Sequence, residues 1–233
     1  MTDKGVKIAQ MGMGLDEYSK SDIFNEDENP RQRIAEIARL IYERHLSDSG
    51  GGNLSCRVGE RIYITPRYLG ELHRFKVNVD EIITMKPNAE VIEGNADMVT
   101  REGSVHINIY NTFPQVKAIL HAHPRNILPF ASAGLNIPSN TEMFKHLLGT
   151  DEIEICGDVG PATDLLSRTL IDCLRRRENA LSKYGSAVMI PNHGVIVAAR
   201  NLNYAFCILE TIETSAVVYF QTMLIKKFFN DHS

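Results

Sequence analysis

An α/β fold in one domain is what this sequence predicts, and two observations carry the prediction. Short apolar runs rich in β-formers alternate with stretches whose apolar residues recur at helical spacing, the layout of helices packed on a sheet. A chain of 233 residues with 43% hydrophobic and 23% charged residues is also long enough for one substantial core, and nothing in it forces a division.

Residues 1–28 show no sustained periodicity and end in an acidic run, Asn25 to Asn29, so they read as a tail or interface arm and 29–233 as the domain. Asn29-Pro30 starts a helix, with Asn at the N-cap and Pro at the first helical position. Ile34, Ile37, Ala38, Ile41 and Tyr42 continue it to near Leu46. Ser47 to Gly52 is a glycine-rich turn. Strands follow at Asn53 to Arg57, Arg61 to Thr65 and Glu81 to Met85. Thr100 is placed to cap a helix from Arg101 to about Asn111. After it come the strand Ala118 to His123, a helix from Asn126 to Ala133, a strand at Glu152 to Ile155 and a helix from Asp164 to Leu181. Strands at Ala187 to Pro191 and Val195 to Ala198 precede a last helix from Leu202.

A net charge of −4 argues against a nucleic-acid or anionic-membrane partner and leaves a small molecule as the expected ligand. The four cysteines, Cys56, Cys156, Cys173 and Cys207, form no C-x-x-C pair, which speaks against a thiolate zinc site or a disulfide framework. Reduced thiols in the cytoplasm are the expectation. The apolar segment Ala205 to Phe229 carries Glu210, Glu213, Lys226 and Lys227, so it reads as a packed helix and not a membrane span.

His121 and His123 end an apolar strand. Alternation puts them on one face, about 6.5–7 Å apart along the backbone, close enough to share a metal ion. Half-buried polar residues at a strand end would show the same spacing. His193, at the glycine turn Asn192-His193-Gly194 after another apolar strand, is the best candidate for a third ligand, and a catalytic zinc takes three. Glu102 and His106 lie four apart on the predicted helix and share a face that could lean over the metal. Glu102 reads either as a ligand that turns proton shuttle once substrate displaces it, or as a first-turn acid answering the helix dipole. The glycine turn, on its own, is a plain connector.

Five ordered motifs now resemble those of the class II aldolase/adducin family of zinc-dependent sugar-phosphate aldolases. They are Gly51 to Ser55, Ile64-Thr65-Pro66, Glu102 with His106, His121 with His123, and Asn192-His193-Gly194, within a span from about Arg33 to Tyr219. The resemblance implies a layered α/β fold on a mainly antiparallel central sheet flanked by helices. It also implies a homotetramer with active sites at subunit interfaces, Zn²⁺ on His121, His123 and His193, and Glu102 as catalytic acid/base. Gly52 and Asn53 fall where the family holds the substrate phosphate on exposed backbone N–H groups.

Departures bear on the substrate. Val99-Thr100-Arg101 replaces small residues before the glutamate, and Thr65 to Gly70 replaces a Thr-Pro-Ser/Thr-Gly turn. Thr100 can donate a hydroxyl, and Arg101 or Arg67 a bidentate guanidinium, to a phosphate or carboxylate. Glu142 falls near a position where some members carry a tyrosine, and is expected to assist at the aldehyde oxygen. The activity implied is retro-aldol cleavage of a ketose 1-phosphate to dihydroxyacetone phosphate and an aldehyde. Residues 142–145, Glu-Met-Phe-Lys, pull towards dehydratases of the methylthioribulose phosphate type, whereas Glu102 pulls towards aldolases. Epimerase and decarboxylase branches share the metal triad, other divalent transition metals suit imidazole, and an adducin-like scaffold without catalysis is the alternative from another class.

Overall fold

Seven strands build one sheet in the computed structural model, which describes residues 28–230. In chain order they are β1 (Asn53–Val58), β2 (Arg61–Ile64), β3 (Ile83–Met85), β4 (Val91–Glu93), β5 (Ala118–Ala122), β8 (Ser186–Ile190) and β9 (Gly194–Ala199), with a separate pair β6 (Ile137–Pro138) and β7 (Glu152–Ile153). Their spatial order is β4-β3-β2-β1-β5-β9-β8, and every neighbouring pair is antiparallel. The expected fold, α/β with a mainly antiparallel sheet flanked by helices, is the one observed. The arm proposed for residues 1–28 lies outside the described residues but for Glu28.

Helices cover both faces, which is why the central strands are apolar throughout rather than half polar. One face packs against α1 (Pro30–Glu43), α3 (Ile127–Ala133), α4 (Glu142–Leu148) and α7 (Leu202–Asn230); its buried cluster takes Leu54, Leu120 and Val197 from the sheet. The other packs against α2 (Gly103–Thr112), α5 (Asp164–Arg175) and α6 (Glu178–Tyr184), with Ile119, Val188 and Ile196 from the sheet. Side-chain alternation then puts His121 on the face of Ile119, the α2 side. Register sets it opposite Asn53 of β1 and Ile196 of β9.

Several expected elements changed. The helix foreseen from Asp164 to Leu181 is two helices, because Arg176 reaches Glu154 and Arg177 the Leu148 carbonyl, tying the joint to neighbouring loops. Helix α2 starts at Gly103 rather than Arg101: Thr100 is not its cap, and Glu102 occupies the N-cap position without bonding the helix end. Asn29 likewise precedes α1 without a side-chain cap bond. The strand expected from Glu81 begins at Ile83, since Val79–Glu81 forms a 3₁₀ turn closed by an Asn78/Glu81 capping box. Helix α4 was not foreseen; Thr141 caps it, Gly149 ends it in the left-handed region, and Phe144, Leu147 and Leu148 anchor it. Seven residues are too few for periodicity to stand out. Of α7, the part up to Ala216 is buried against the sheet, and among the described residues no helix is long and apolar enough to cross a membrane.

Candidate metal centre and active site

Three short approaches bring the histidines together. His121 and His123 stand at the end of β5, and the β8–β9 turn presents His193 beside them. Asn192, in the left-handed region at φ 52°, makes that turn; its side-chain oxygen accepts from Ser132 Oγ at 3.0 Å. The ring centroids lie 4.7–5.1 Å apart. One ligand atom of each ring lies within 4.8 Å of the others.

Tautomers decide what these rings offer. His121 Nδ1 donates to the Val195 carbonyl at 3.2 Å and His123 Nδ1 to Asp48 Oδ1 at 3.2 Å, so in the neutral rings both Nε2 atoms keep lone pairs. Those two Nε2 atoms face each other at 3.1 Å. Two imidazole nitrogens on one tetrahedral ion at 2.0–2.1 Å stand roughly 3.3 Å apart, so the pair has the spacing of a chelate. A cation between them removes the repulsion of facing lone pairs. Burial keeps the rings neutral: it pushes His121 down to about 3, with His123 and His193 adding to it and Glu102 opposing. Burial also lowers His193. The donor set fits a divalent metal ion.

Glu102 completes the group. Its Oε2 lies 3.3 Å from His121 Nε2 and its Oε1 3.8 Å from His193 Nε2. Burial raises its carboxyl, while His121 and His193, in so far as they carry charge, and the Asn53 hydrogen bond lower it, and the net direction is downward. It is a carboxylate at neutral pH. His106, expected to lean over the metal with it, points instead into the protein, bonded to Asn53 and Ser55. The N-cap backbone turns Glu102 outward while the first helical turn carries His106 inward.

A cavity of about 210 Å³ joins these residues to the expected anion-binding groups: Gly52, Asn53, Thr100 and Arg101 line it, with Arg67 beside them. Gly51 and Gly52 have φ +157° and +129°, and a Cβ on Gly51 would sit 2.9 Å from His123 Cε1, so the turn closes on His123 only as glycine. Ser47 Oγ accepts from the His123 N–H and donates to the Gly51 carbonyl, both at 3.0 Å, locking turn to strand. The side-chain amide of Asn53 is occupied by His106 and Glu102. Glu142, by contrast, is exposed on the first turn of α4 and does not line this cavity. Asp48, Tyr68, Pro161 and Ala162 were not anticipated. Only Asp48 had a signal, a carboxylate next to the glycine turn.

Gly194 is where β9 passes β5 most closely. A Cβ there would lie 2.3 Å from the Ala122 carbonyl oxygen and 2.8 Å from His123 Cδ2. Gly194→Ala is therefore expected to destabilise the fold by about 1–3 kcal/mol, the cost of overpacking, and to weaken metal binding through His123. Denaturant melts and metal titration check this; unchanged values in both would show that the strands separate freely.

Acid should weaken the metal-free protein. His106 and His121 are pushed, chiefly by burial, down to about 4 and about 3. The unfolded chain therefore binds more protons than the native one below the ordinary histidine value, so stability is full above about pH 6.5 and falls as pH drops towards the native values. Between pH 7 and pH 5 the loss is on the order of 2 kcal/mol for each buried histidine. Chemical denaturation at the two pH values measures it, and a flat profile would mean that neither ring is buried neutral.

Comparison with known proteins agrees with the geometry. Residues 32–220 match the family described as "Class II Aldolase and Adducin N-terminal domain". The chain is 28% identical over 180 residues to an L-fuculose phosphate aldolase of Methanococcus maripaludis, covering 77% of this chain and 90% of that one. It is 26% identical over 194 residues to a 3-oxo-tetronate 4-phosphate decarboxylase of Haemophilus influenzae, covering 82% and 86%. A solved L-fuculose 1-phosphate aldolase superposes with a TM-score of 0.70 at 26% identity, over 85% of this chain and 86% of that chain. The match spans the sheet, the histidine turn and the glycine turn together, and the chain belongs to the class II aldolase and adducin family.

Proposed function

We propose that the protein is a metal-dependent lyase that cleaves a ketose 1-phosphate by a retro-aldol reaction to dihydroxyacetone phosphate and an aldehyde. The observation that carries this reading is the Glu102 carboxyl group held 3.3 Å and 3.8 Å from two of three convergent histidines. His121, His123 and His193 would hold the ion, zinc on our reading. When bound it supplies a Lewis acid where negative charge develops on the substrate oxygens.

The chain's own residues do the rest. The Gly52-Asn53 turn, Thr100 and Arg101 bind the phosphate through backbone N–H, hydroxyl and guanidinium donors, which fixes the sugar's carbonyl end towards the histidines. In the condensation direction Glu102 removes a proton from the carbon α to the carbonyl of dihydroxyacetone phosphate. In cleavage it returns that proton to the same carbon, once the carbon–carbon bond has broken and left its electron pair there. The hydroxyl that becomes the aldehyde loses its proton, the task proposed for Glu142. Since Glu142 stands outside this chain's cavity, that task requires a neighbouring copy, as in the expected homotetramer with sites at subunit interfaces.

A second reading has one observation in its favour: Arg67 lines the same cavity as Arg101. Two guanidiniums suit a substrate with a carboxylate besides its phosphate, as the name of the Haemophilus relative describes. A panel of ketose 1-phosphates and oxo-acid phosphates, assayed with metal-loaded protein, separates the readings. Release of dihydroxyacetone phosphate supports the aldolase, carbon dioxide the decarboxylase, and water loss without cleavage the dehydratase. Less than roughly a tenth of an equivalent of metal after metal-supplemented expression would leave only the scaffold.

A further inference from the structure

Behind Glu102 runs a buried line of hydrogen bonds. Asn53 Nδ2 donates to Glu102 Oε2 at 2.9 Å, and Asn53 Oδ1 faces His106 Nε2 at 2.6 Å. His106 Nδ1 lies 2.6 Å from Ser55 Oγ, which lies 2.8 Å from the Tyr110 hydroxyl. Asn53 and Ser55 are alternate residues of β1 on the α2 side of the sheet; His106 and Tyr110 are one turn apart on α2. His106 and Ser55 are fully buried.

The donors in this line can point only one way. The Asn53 amide presents its nitrogen to Glu102 and its oxygen to His106. That oxygen needs a donor, so His106 carries its proton on Nε2, and its Nδ1 then accepts from the Ser55 hydroxyl. Ser55 in turn accepts from Tyr110, whose other approach, to the Lys117 carbonyl, is longer at 3.5 Å. With Asn53 so oriented, the other neutral tautomer of His106 would set its Nε2 against the Asn53 oxygen, acceptor against acceptor, in a dry interior where an unmade hydrogen bond costs about 1–3 kcal/mol. Burial, which pushes His106 down to about 4, keeps the ring in the neutral form that the line requires.

The two carboxylate oxygens of Glu102 are thereby made unlike. Oε2 is held by Asn53, whereas Oε1 has no hydrogen bond among the described residues and faces the cavity side at His193, 3.8 Å away. We propose that Asn53 and His106 are positioning residues for Glu102, pinning Oε2 and leaving Oε1 as the oxygen that takes up and returns the substrate proton. The inference rests on the reading of Glu102 as acid/base. A purely structural histidine would make the same hydrogen bonds, but its loss would not act selectively on proton transfer.

The first test needs no turnover. In full-length, zinc-loaded protein labelled with ¹⁵N-histidine, long-range proton–nitrogen correlations report which ring nitrogen of His106 is protonated. Nε2–H is expected at pH 7; Nδ1–H or an imidazolium overturns the proposal. The second follows exchange of the α-proton of dihydroxyacetone phosphate with deuterated solvent. His106→Phe is expected to slow exchange about 10–100-fold, as misplacement of a catalytic group does, with KM and bound metal within about twofold. His106→Gln, whose amide can donate to Asn53, should recover most of the rate. Should His106→Phe fail to fold, Ser55→Ala serves: without the Oγ donor the ring loses one of its two anchors, and exchange falls at least about threefold. If Glu102→Gln is inert while folded His106→Phe exchanges at the wild-type rate, the positioning role alone falls. If Glu102→Gln itself exchanges normally, the acid/base reading falls and the positioning role falls with it.

Discussion

His123→Ala is expected to abolish both metal binding and turnover. The imidazole supplies one of three lone pairs, stands 3.1 Å from its partner nitrogen on His121, and is oriented by Asp48. Removing a residue that only orients a ligand typically costs 10–100-fold in metal affinity, so Asp48→Ala should lose roughly that much and His123→Ala considerably more. Elemental analysis after dialysis, beside the cleavage assay, reads both effects. Because the methyl of alanine also leaves space against Gly51 and Gly194, thermal melts should accompany the assay. A folded His123→Ala protein that keeps a full equivalent of metal and its rate would end the three-histidine reading.

Glu102→Gln should separate chemistry from binding. Glutamine is nearly isosteric, yet it cannot take up and return a proton, so kcat should fall about 10²–10⁴-fold, the range that positioned general acid–base groups contribute. Metal content should stay near that of the wild type, because the three histidines remain and their other ring contacts do not depend on Glu102. KM should change little, since the anion-binding groups of the glycine turn and Arg101 are untouched. Loss of the metal together with the rate would instead make Glu102 a structural ligand.

Much of the site was legible because its signals are local. The H-x-H spacing on a strand, the histidine at a glycine turn and the glycine-rich turn before β1 each follow from backbone rules that act over a few residues. Other features had no local signal. Helix α4 was too short to show a period, and the break between α5 and α6 comes from Arg176 and Arg177 reaching residues more than twenty positions away. The inward turn of His106 likewise depends on β1, fifty residues earlier in the chain.

The sequence by itself determined the α/β class, the candidate ligand types and their order along the chain, since alternation, helical period and turn glycines are written in neighbouring residues. Only the tertiary structure decided which nitrogens of His121 and His123 face each other, that Glu102 stands beside His121 and His193, and that Asn53 serves the carboxyl group with its side chain. Antiparallel pairing sets Asn53 opposite His121 and lays β9 against β5, so partners 49 and 74 residues apart in sequence come within hydrogen-bonding distance. Hydrogen-bond direction and desolvation depend on those neighbours, and no local pattern specifies them.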